Sequence, residues 1–318
     1  MDENIMRSWI DPELLENYER SVGFDLEHLD TFVPACTEME RQNVKDDPEV
    51  HVYEMMIPGP EGAPDVKIRI YEPADRGEEL LPVGMFFHGG GFLFGSVLRQ
   101  NDMCLRFVKN VGMMVVSVEY RLAPEYKGPA PIEDAYAALV WLDKNGKSIG
   151  ADPSRIAITG LSAGGCVTAA LALMTRDRKG PMPVLQIPMY AMLDHKADTY
   201  SQKLITSRKV WCYDYSKIAW EHYIDKTKEI NEYIAPMLAK DLSGLPPVFS
   251  FIGTVDPLLD ENIEYWTRLI RAGVPVEYHI FPGCYHSFEI AVPDSRYGKM
   301  AYELMYSALR KAFSLTEK

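Results

Sequence analysis

Short apolar runs alternate with amphipathic helical stretches along most of this 318-residue chain, and this alternation constrains the fold more than any other feature of the sequence. Val83–Phe87 and Met113–Val118 are almost continuously apolar, which is typical of strands covered on both faces of a parallel sheet. Residues 131–145 place their apolar side chains on one helical stripe. The alternation therefore predicts an α/β fold with a mostly parallel central sheet flanked by helices.

Two regions interrupt the alternation. Residues 1–47 have helical spacing and many charges, and their helical character ends near Lys45–Pro48. Residues 195–225 follow the strand Val184–Tyr190 without a further strand and carry the aromatic residues Tyr200, Trp211, Tyr213, Tyr215, Trp220 and Tyr223. Because this excursion leaves the sheet at its C-terminal edge, where α/β folds hold their sites, we predict a lid. Two helices packed there for stability alone are the alternative.

Charge and cysteine usage exclude several classes of function. The chain has 33 basic and 46 acidic residues, a formal net charge of −13, so phosphate backbones and anionic membranes should repel it. The sequence lacks the roughly 20-residue apolar run of a membrane span, and its acidic N-terminus is unlike a signal peptide, which predicts a cytoplasmic protein. Five scattered cysteines without a CxxC pair predict buried thiols rather than disulfides or zinc, and we expect no metal and no cofactor.

The clearest chemical signal is a G-x-S-x-G motif, Gly160–Gly164, between a predicted strand and an Ala/Leu-rich helix. Such a motif makes a sharp strand-to-helix turn that projects the serine from the sheet edge, and its small residues let neighbouring backbone pass close by. The serine also lies at a helix N-terminus, which favours a developing negative charge. Ser162 is therefore the candidate nucleophile. A glycine-rich helix entry with an idle serine is the alternative.

A second signal, His88–Phe92 (HGGGF), directly follows the predicted strand Val83–Phe87. Consecutive glycines cost backbone entropy, and a loop that presents bare amide N–H groups to a site would justify that cost. We predict an oxyanion hole formed by the amides of Gly90, Gly91 and Ala163.

A phosphate-binding loop is the rival interpretation of these glycines. However, the next glycine after the triplet is Gly95, so the G-x-G-x-x-G spacing is absent. The segment Gly146–Ser148 has Trp141 where a P-loop needs its first glycine. Nucleotide binding is therefore not predicted.

A nucleophilic serine needs a base, and the base needs an orienting acid, in the chain order Ser, Asp/Glu, His. Asp256 follows one predicted strand and His286 follows the next, so both lie where a strand-end site requires them. Asp260 and Glu261 are rival acids, but both fall within the following helix. An aspartate that only caps this helix is the alternative role for Asp256.

Six short motifs follow one another along the chain from about residue 50. They are HGGGF (His88–Phe92), YRLAPE (Tyr120–Glu125), PAPxxD (Pro129–Asp134), GxSAGG (Gly160–Gly165), DPLLDE (Asp256–Glu261) and GxxHxF (Gly283–Phe288). In this order they resemble the hormone-sensitive-lipase-like family of α/β-hydrolase esterases, far more specifically than G-x-S-x-G alone.

The resemblance implies the α/β-hydrolase fold, with Ser162 as nucleophile, His286 as base and Asp256 as acid. It also implies a cap built from the N-terminal helices and the insertion after the sixth strand. The predicted division is therefore an N-terminal part of the cap, a first core segment, a cap insertion and a second core segment: residues 1–47, 48–194, 195–225 and 226–318. Leu161 departs from the family, which commonly has Asp or Thr before the nucleophile, and this bears on subfamily and substrate.

These observations predict a serine carboxylesterase that hydrolyses short- to medium-chain acyl esters through an acyl-enzyme. Phe92, Leu161, Trp211 and Tyr215 are the candidate residues of the substrate pocket. An amidase or deacetylase would use the same three residues and stays open. A non-catalytic small-molecule receptor on this scaffold would lack one of them, whereas all three are present. The expected partner is a small-molecule ester, and exposed edge strands allow a homodimer without requiring one.

Overall fold

The computed structural model describes residues 3–315. Its strands are β1 (Val50–Ile57), β2 (Val66–Pro73), β3 (Leu81–Phe87), β4 (Met114–Val118), β5 (Ala151–Leu161), β6 (Leu185–Met189), β7 (Val248–Val255) and β8 (Val276–Tyr285). Its helices are α1 (Glu3–Trp9), α2 (Pro12–Arg20), α3 (Leu29–Asn43), α4 (Asn101–Val111), α5 (Ala130–Asn145), α6 (Ala163–Asp177), α7 (Tyr200–Leu204), α8 (Tyr213–Tyr223), α9 (Leu259–Arg271), α10 (Phe288–Ala291) and α11 (Arg296–Ala312).

The strands form one eight-stranded sheet in the order β1-β2-β4-β3-β5-β6-β7-β8. Strand β2 pairs antiparallel with both β1 and β4, and every other neighbouring pair is parallel. This arrangement confirms the predicted α/β fold with a mostly parallel sheet. The parallel strands β3, β5, β6, β7 and β8 point the same way, so the loops after them meet at one edge.

The apolar runs that predicted the central strands are buried. Every residue of β4 and β6 is buried, as is nearly all of β3. Helix α6 packs so closely on the sheet that its residues Ala163–Thr175 are all buried. A Cβ on Gly165 would lie only 2.8 Å from that of Ala191, so this close approach depends on a residue without a side chain.

Helix α4 is the main element that the sequence analysis does not predict. Its residues Met103, Phe107 and Val111 are buried along one face, so the helical spacing is present in the sequence. The preceding segment Phe92–Val97 is equally apolar, and most of it is buried although it forms no helix or strand. Hydrophobicity alone therefore does not separate this buried loop from the helix that follows it.

Several boundaries also differ from the predicted ones. Strand β5 begins at Ala151 rather than Arg155, and β8 continues to Tyr285 rather than ending at Phe281. The longer β8 delivers the chain directly to His286. Residues 195–225 contain α7 and α8 and no strand, in keeping with the sequence. Among residues 3–315, no helix combines the length and apolar character that a membrane crossing requires.

Candidate active site

Ser162 occupies a strained turn between β5 and α6, with φ 59° and ψ −116°. A non-glycine residue in this region is uncommon and persists only where its surroundings hold it. The two flanking glycines explain how the turn is held. A Cβ on Gly160 would overlap the Gly164 carbonyl, and a Cβ on Gly164 would overlap the Phe87 carbonyl at the end of β3. The motif therefore brings the serine against the loop that follows β3.

The structure brings Ser162, His286 and Asp256 into one hydrogen-bonded chain. His286 Nε2 lies 3.0 Å from Ser162 Oγ, and His286 Nδ1 lies 2.8 Å from Asp256 Oδ2. All three residues are at least nine-tenths buried, with exposures of 3%, 8% and 1% for Ser162, His286 and Asp256. Because these three groups are largely shielded from water, electrostatic contacts among them are stronger than they would be at the surface.

The rival acids lie elsewhere. Asp260 Oδ2 accepts the backbone N–H of Ser201 at 2.7 Å, and Glu261 Oε1 accepts that of Leu193 at 2.7 Å. Asp256 is not the cap residue of α9, because Leu258 occupies that position. Its Oδ1 nevertheless accepts the Leu258 N–H at 2.9 Å, so one carboxylate holds the turn after β7 and the imidazole at once.

The predicted oxyanion loop depends on glycine at two positions. Gly90 has φ 126° and Gly91 has φ 61°. A Cβ on Gly90 would overlap the Phe94 carbonyl, and one on Gly91 would lie 2.5 Å from Trp211. Within residues 3–315, the amide N–H groups of Gly90, Gly91 and Ala163 donate to no protein acceptor. They are therefore free to bind an acceptor in the site.

His88 and Tyr120 brace this loop from behind. The His88 ring stacks on Tyr120 with 4.2 Å between centroids, and the Tyr120 hydroxyl donates to the His88 carbonyl at 2.6 Å. His88 Nδ1 lies 2.8 Å from the Gly89 carbonyl. Burial lowers the pKa of His88 to about 4, so its imidazole is neutral near pH 7. A neutral ring is a structural support here and adds no charge to the site.

The YRLAPE and PAPxxD motifs are joined by a partly buried ion pair. Arg121 Nη2 lies 2.7 Å from Asp134 Oδ1, and the Arg121 side-chain Nε and backbone N–H both reach Asp134 Oδ2 at 2.9 Å. Two residues further on, the Ala123 N–H donates to the Phe92 carbonyl at 2.8 Å. The pair thus orders a segment that supports the loop carrying Gly90 and Gly91. The sequence analysis identifies the motifs without this supporting contact.

The four predicted pocket residues have different surroundings. The Phe92 ring stacks on Tyr223 of α8 at 3.8 Å, and Leu161 is buried with its Cδ1 against Gly89. The Trp211 ring lies 6.0 Å from that of His286. Substrate binding by these residues stays a prediction, and Trp211 has the most direct contact with the site.

A cluster of rings covers this side of the site, and the sequence analysis identifies only part of it. We call it the aromatic roof; its members are Phe24, Phe32, Phe94, Trp211 and Tyr215. The Tyr215 hydroxyl accepts the Phe24 N–H at 3.0 Å and donates to the Arg208 carbonyl at 2.9 Å. Phe24, Phe32 and Phe94 have no distinctive spacing in the sequence, so only the fold identifies them.

Comparison with known proteins places this geometry among the esterases. A family model described as the alpha/beta hydrolase fold matches residues 84–290. Esterase LipI of Mycobacterium tuberculosis is 36% identical over 285 residues, covering 85% of this chain and 85% of that protein. Carboxylesterase NlhH of the same organism is 37% identical over 262 residues, covering 77% of this chain and 79% of its own length.

A solved structure gives the same result. Bacterial heroin esterase superposes with a TM-score of 0.91 at 32% identity, over 96% of this chain and 98% of that one. The fold, the ordered motifs and these relatives agree with the resemblance drawn from the sequence. The chain belongs to the hormone-sensitive-lipase-like family of carboxylic ester hydrolases, with the α/β-hydrolase fold.

Proposed function

We propose that this chain is a serine carboxylesterase that acts on short- to medium-chain acyl esters through an acyl-enzyme. The hydrogen-bonded chain from Ser162 Oγ through His286 to Asp256, with links of 3.0 Å and 2.8 Å, carries the proposal. A buried hydroxyl, imidazole and carboxylate in this order make the serine nucleophilic at neutral pH.

In the first half of the reaction, Ser162 Oγ attacks the ester carbonyl while His286 Nε2 takes the hydroxyl proton. Asp256 accepts the Nδ1–H, which orients the ring and stabilises the imidazolium. The tetrahedral intermediate then collapses, the ester C–O bond breaks, and His286 returns the proton to the leaving alcohol. In the second half, water adds to the acyl-enzyme by the same steps and releases the acid and Ser162.

Negative charge develops on the carbonyl oxygen in both halves, and we propose that the amides of Gly90, Gly91 and Ala163 bind it. Within residues 3–315 these amides have no protein acceptor, and this absence and the position of Ala163 at the start of α6 support the assignment. In other enzymes, one such donor stabilises the transition state by about 3–4 kcal/mol.

We further propose that residues 1–47 and 195–225 form a cap over the core segments 48–194 and 226–318. Contacts between the two cap segments support this division: the Tyr18 hydroxyl donates to Ser207 Oγ at 2.8 Å, and Arg208 pairs with Glu27 at 2.9 Å. With the aromatic roof above Gly91, this arrangement limits the length of the acyl group, because planar rings form stiff apolar walls.

The first experiment tests the nucleophile with p-nitrophenyl acetate. Ser162→Ala should reduce kcat by a factor on the order of 10⁶, as removal of the serine does in other triads. Ser117→Ala, which changes another buried serine on β4, is the matched control and should keep the parent rate. Undiminished hydrolysis by purified, folded Ser162→Ala would refute the assignment.

A second experiment tests the acyl range. Rates on p-nitrophenyl esters of increasing acyl length should peak at short to medium chains and fall for long ones. Fastest turnover of long-chain triglycerides at an oil interface would contradict a roofed pocket. Ser162→Ala is the background control throughout.

A further inference from the structure

A second buried carboxyl group lies behind the proposed triad. Glu289, in the short helix α10 that follows His286, is fully buried. Its Oε1 accepts the Tyr190 hydroxyl at 2.5 Å. Its Oε2 has no hydrogen-bond partner among the described residues. A buried carboxyl oxygen without a partner is costly, so its retention calls for a reason.

Tyr190 connects this carboxyl group to the imidazole. Its ring lies 4.8 Å from that of His286, at 70°, in an edge-to-face contact. The residue follows β6 with φ 33°, and its backbone N–H donates to the Phe251 carbonyl at 3.1 Å. A tyrosine in this backbone region is strained, and such strain is concentrated at functional sites. The Glu289 hydrogen bond therefore restrains a ring that lies directly against His286.

We propose that Tyr190 and Glu289 form a positioning pair for the catalytic imidazole, Tyr190 by holding the ring and Glu289 by adding a negative charge that stabilises the imidazolium. This inference rests on the proposed function, because it assigns the base role to His286. Neither residue needs to touch the substrate, so the pair should affect kcat rather than KM.

The electrostatic surroundings of Glu289 allow its charge to change near neutral pH. Burial, with a smaller contribution from the Asp256 charge, raises the pKa of Glu289 to about 7, and the Tyr190 hydrogen bond opposes this rise. Apart from His286, on which the pair is proposed to act, the titratable groups that face Glu289 are Tyr190 after β6, Asp256 after β7, Cys284 on β8 and Tyr302 on α11. None of these four is a cation. Glu289 is therefore neutral well below pH 7 and ionised well above it.

The titration of Glu289 predicts how the kcat of the parent and that of Glu289→Gln should differ as the pH changes. In Glu289→Gln the amide oxygen can still accept a hydrogen bond from the Tyr190 hydroxyl, but the side chain cannot ionise. Below about pH 6 the parent and the variant both carry a neutral group, and their kcat values should agree within about twofold. Above about pH 8 only the parent carries the charge, and its kcat should exceed that of the variant by about tenfold. The ratio of parent to variant should thus rise through about pH 7, with KM unchanged.

Tyr190→Phe supplies a second, more conservative test. Loss of the hydroxyl removes the hydrogen bond that favours the ionised carboxylate, so the pKa of Glu289 should rise further. The kcat of Tyr190→Phe is therefore compared with that of the double variant Tyr190→Phe/Glu289→Gln. This kcat ratio should rise with a midpoint at a higher pH than the kcat ratio of parent to Glu289→Gln. A merely structural role would lower kcat without moving a midpoint.

Glu261→Gln is the matched control, since Glu261 is also a fully buried carboxyl group but bonds to Leu193 rather than to the residues around His286. The ratio of the parent kcat to the Glu261→Gln kcat should not change with pH. A pH-independent ratio for Glu289→Gln, or an unmoved midpoint in the Tyr190→Phe background, would overturn the inference. If Ser162→Ala is inactive while these ratios are flat, the inference fails and the proposed function stands. If Ser162→Ala is active, both fail.

Discussion

The strand-end half of the site and the aromatic roof are held in different ways. Ser162, Asp256 and His286 each directly follow a strand, and the turn at Ser162 is set by backbone contacts that only glycine permits. The roof rings come from separate segments and contact one another at centroid distances of 5.2 to 6.4 Å. We therefore expect the strand-end half to tolerate little change, whereas the roof should tolerate substitutions with the proposed chemistry intact. Four substitutions test this contrast.

Gly164→Ala should have the largest effect. The added methyl group would overlap the Phe87 carbonyl and lie 2.5 Å from the His88 carbonyl, so α6 must move away from β3. A displacement of about 1 Å can reduce a rate about 100-fold, and we expect at least that loss of kcat. Gly77→Ala, where a Cβ meets nothing within 4 Å, is the control and should behave like the parent. Parent-like kcat for Gly164→Ala would show that the elbow is less constrained than its contacts indicate.

Trp211→Ala should alter the substrate range without removing activity. The ring lies over Gly91 and near His286, so its loss should create space beside Ser162. We expect kcat/KM for octanoyl relative to acetyl esters to rise roughly tenfold, in the range that single apolar groups contribute to specificity. Trp141→Ala on α5 is the control. If kcat/KM for octanoyl relative to acetyl esters is unchanged, Trp211 does not line the substrate pocket.

Glu261→Gln tests the junction between the two halves, because Glu261 holds the backbone of Leu193 and Asp194 just before the insertion. Burial raises the pKa of Glu261 to about 8, so the neutral form is favoured in the folded protein. Glu261 therefore makes its full contribution to the free energy of unfolding below about pH 4.5, and this contribution is lost as the pH rises through 8. The free energy of unfolding of the parent should fall between pH 5 and pH 8. In Glu261→Gln this fall should be smaller by roughly 2–4 kcal/mol. Chemical denaturation at several pH values measures this, and parallel curves for parent and variant would contradict it.

Local rearrangement makes this variant tolerable. Gln202 Nε2 donates to Glu261 Oε2 at 3.3 Å, while Gln202 Oε1 has no partner among the described residues. A half-turn of the Gln202 amide would let that oxygen accept from the new amide group. The double variant Glu261→Gln/Gln202→Ala removes this acceptor and should be less stable than Glu261→Gln.

Tyr215→Phe should have the smallest effect. It removes a hydroxyl that accepts from Phe24 and donates to Arg208, and the loss of such bonds costs about 1–2 kcal/mol. The melting temperature should fall by a few degrees, while kcat for acetyl esters stays within about twofold. A loss of kcat as large as that expected for Gly164→Ala would mean that the roof also orders the reacting groups.

The strand-end half was largely predictable because its signals are local. Gly160–Gly164 combines a turn that needs glycine with the helix that follows, and Asp256 and His286 come directly after apolar runs. The parallel strands bring these ends to one edge of the sheet, so chain order and strand pattern were enough to predict that the three residues lie close together. The catalytic roles of these residues stay proposals until the variants are measured.

The roof and the groups behind the triad were less predictable because their partners are distant in the chain. Phe24 meets Tyr215 across 191 residues, and Tyr190 meets Glu289 across 99. No local pattern marks either contact, and Glu289 looks in the sequence like any surface carboxylate.

By itself, the sequence determined most of the order of strands and helices, with α4 as the main exception, the elbow at Ser162 and the two strand ends that carry Asp256 and His286. These features follow from backbone sterics and hydrophobic spacing, which act over a few residues. Only the tertiary structure decided which rings cover the site and which buried carboxyl group binds the tyrosine that lies against the imidazole. Such contacts depend on how separate elements pack together, and burial rather than residue type sets the pKa of Glu289.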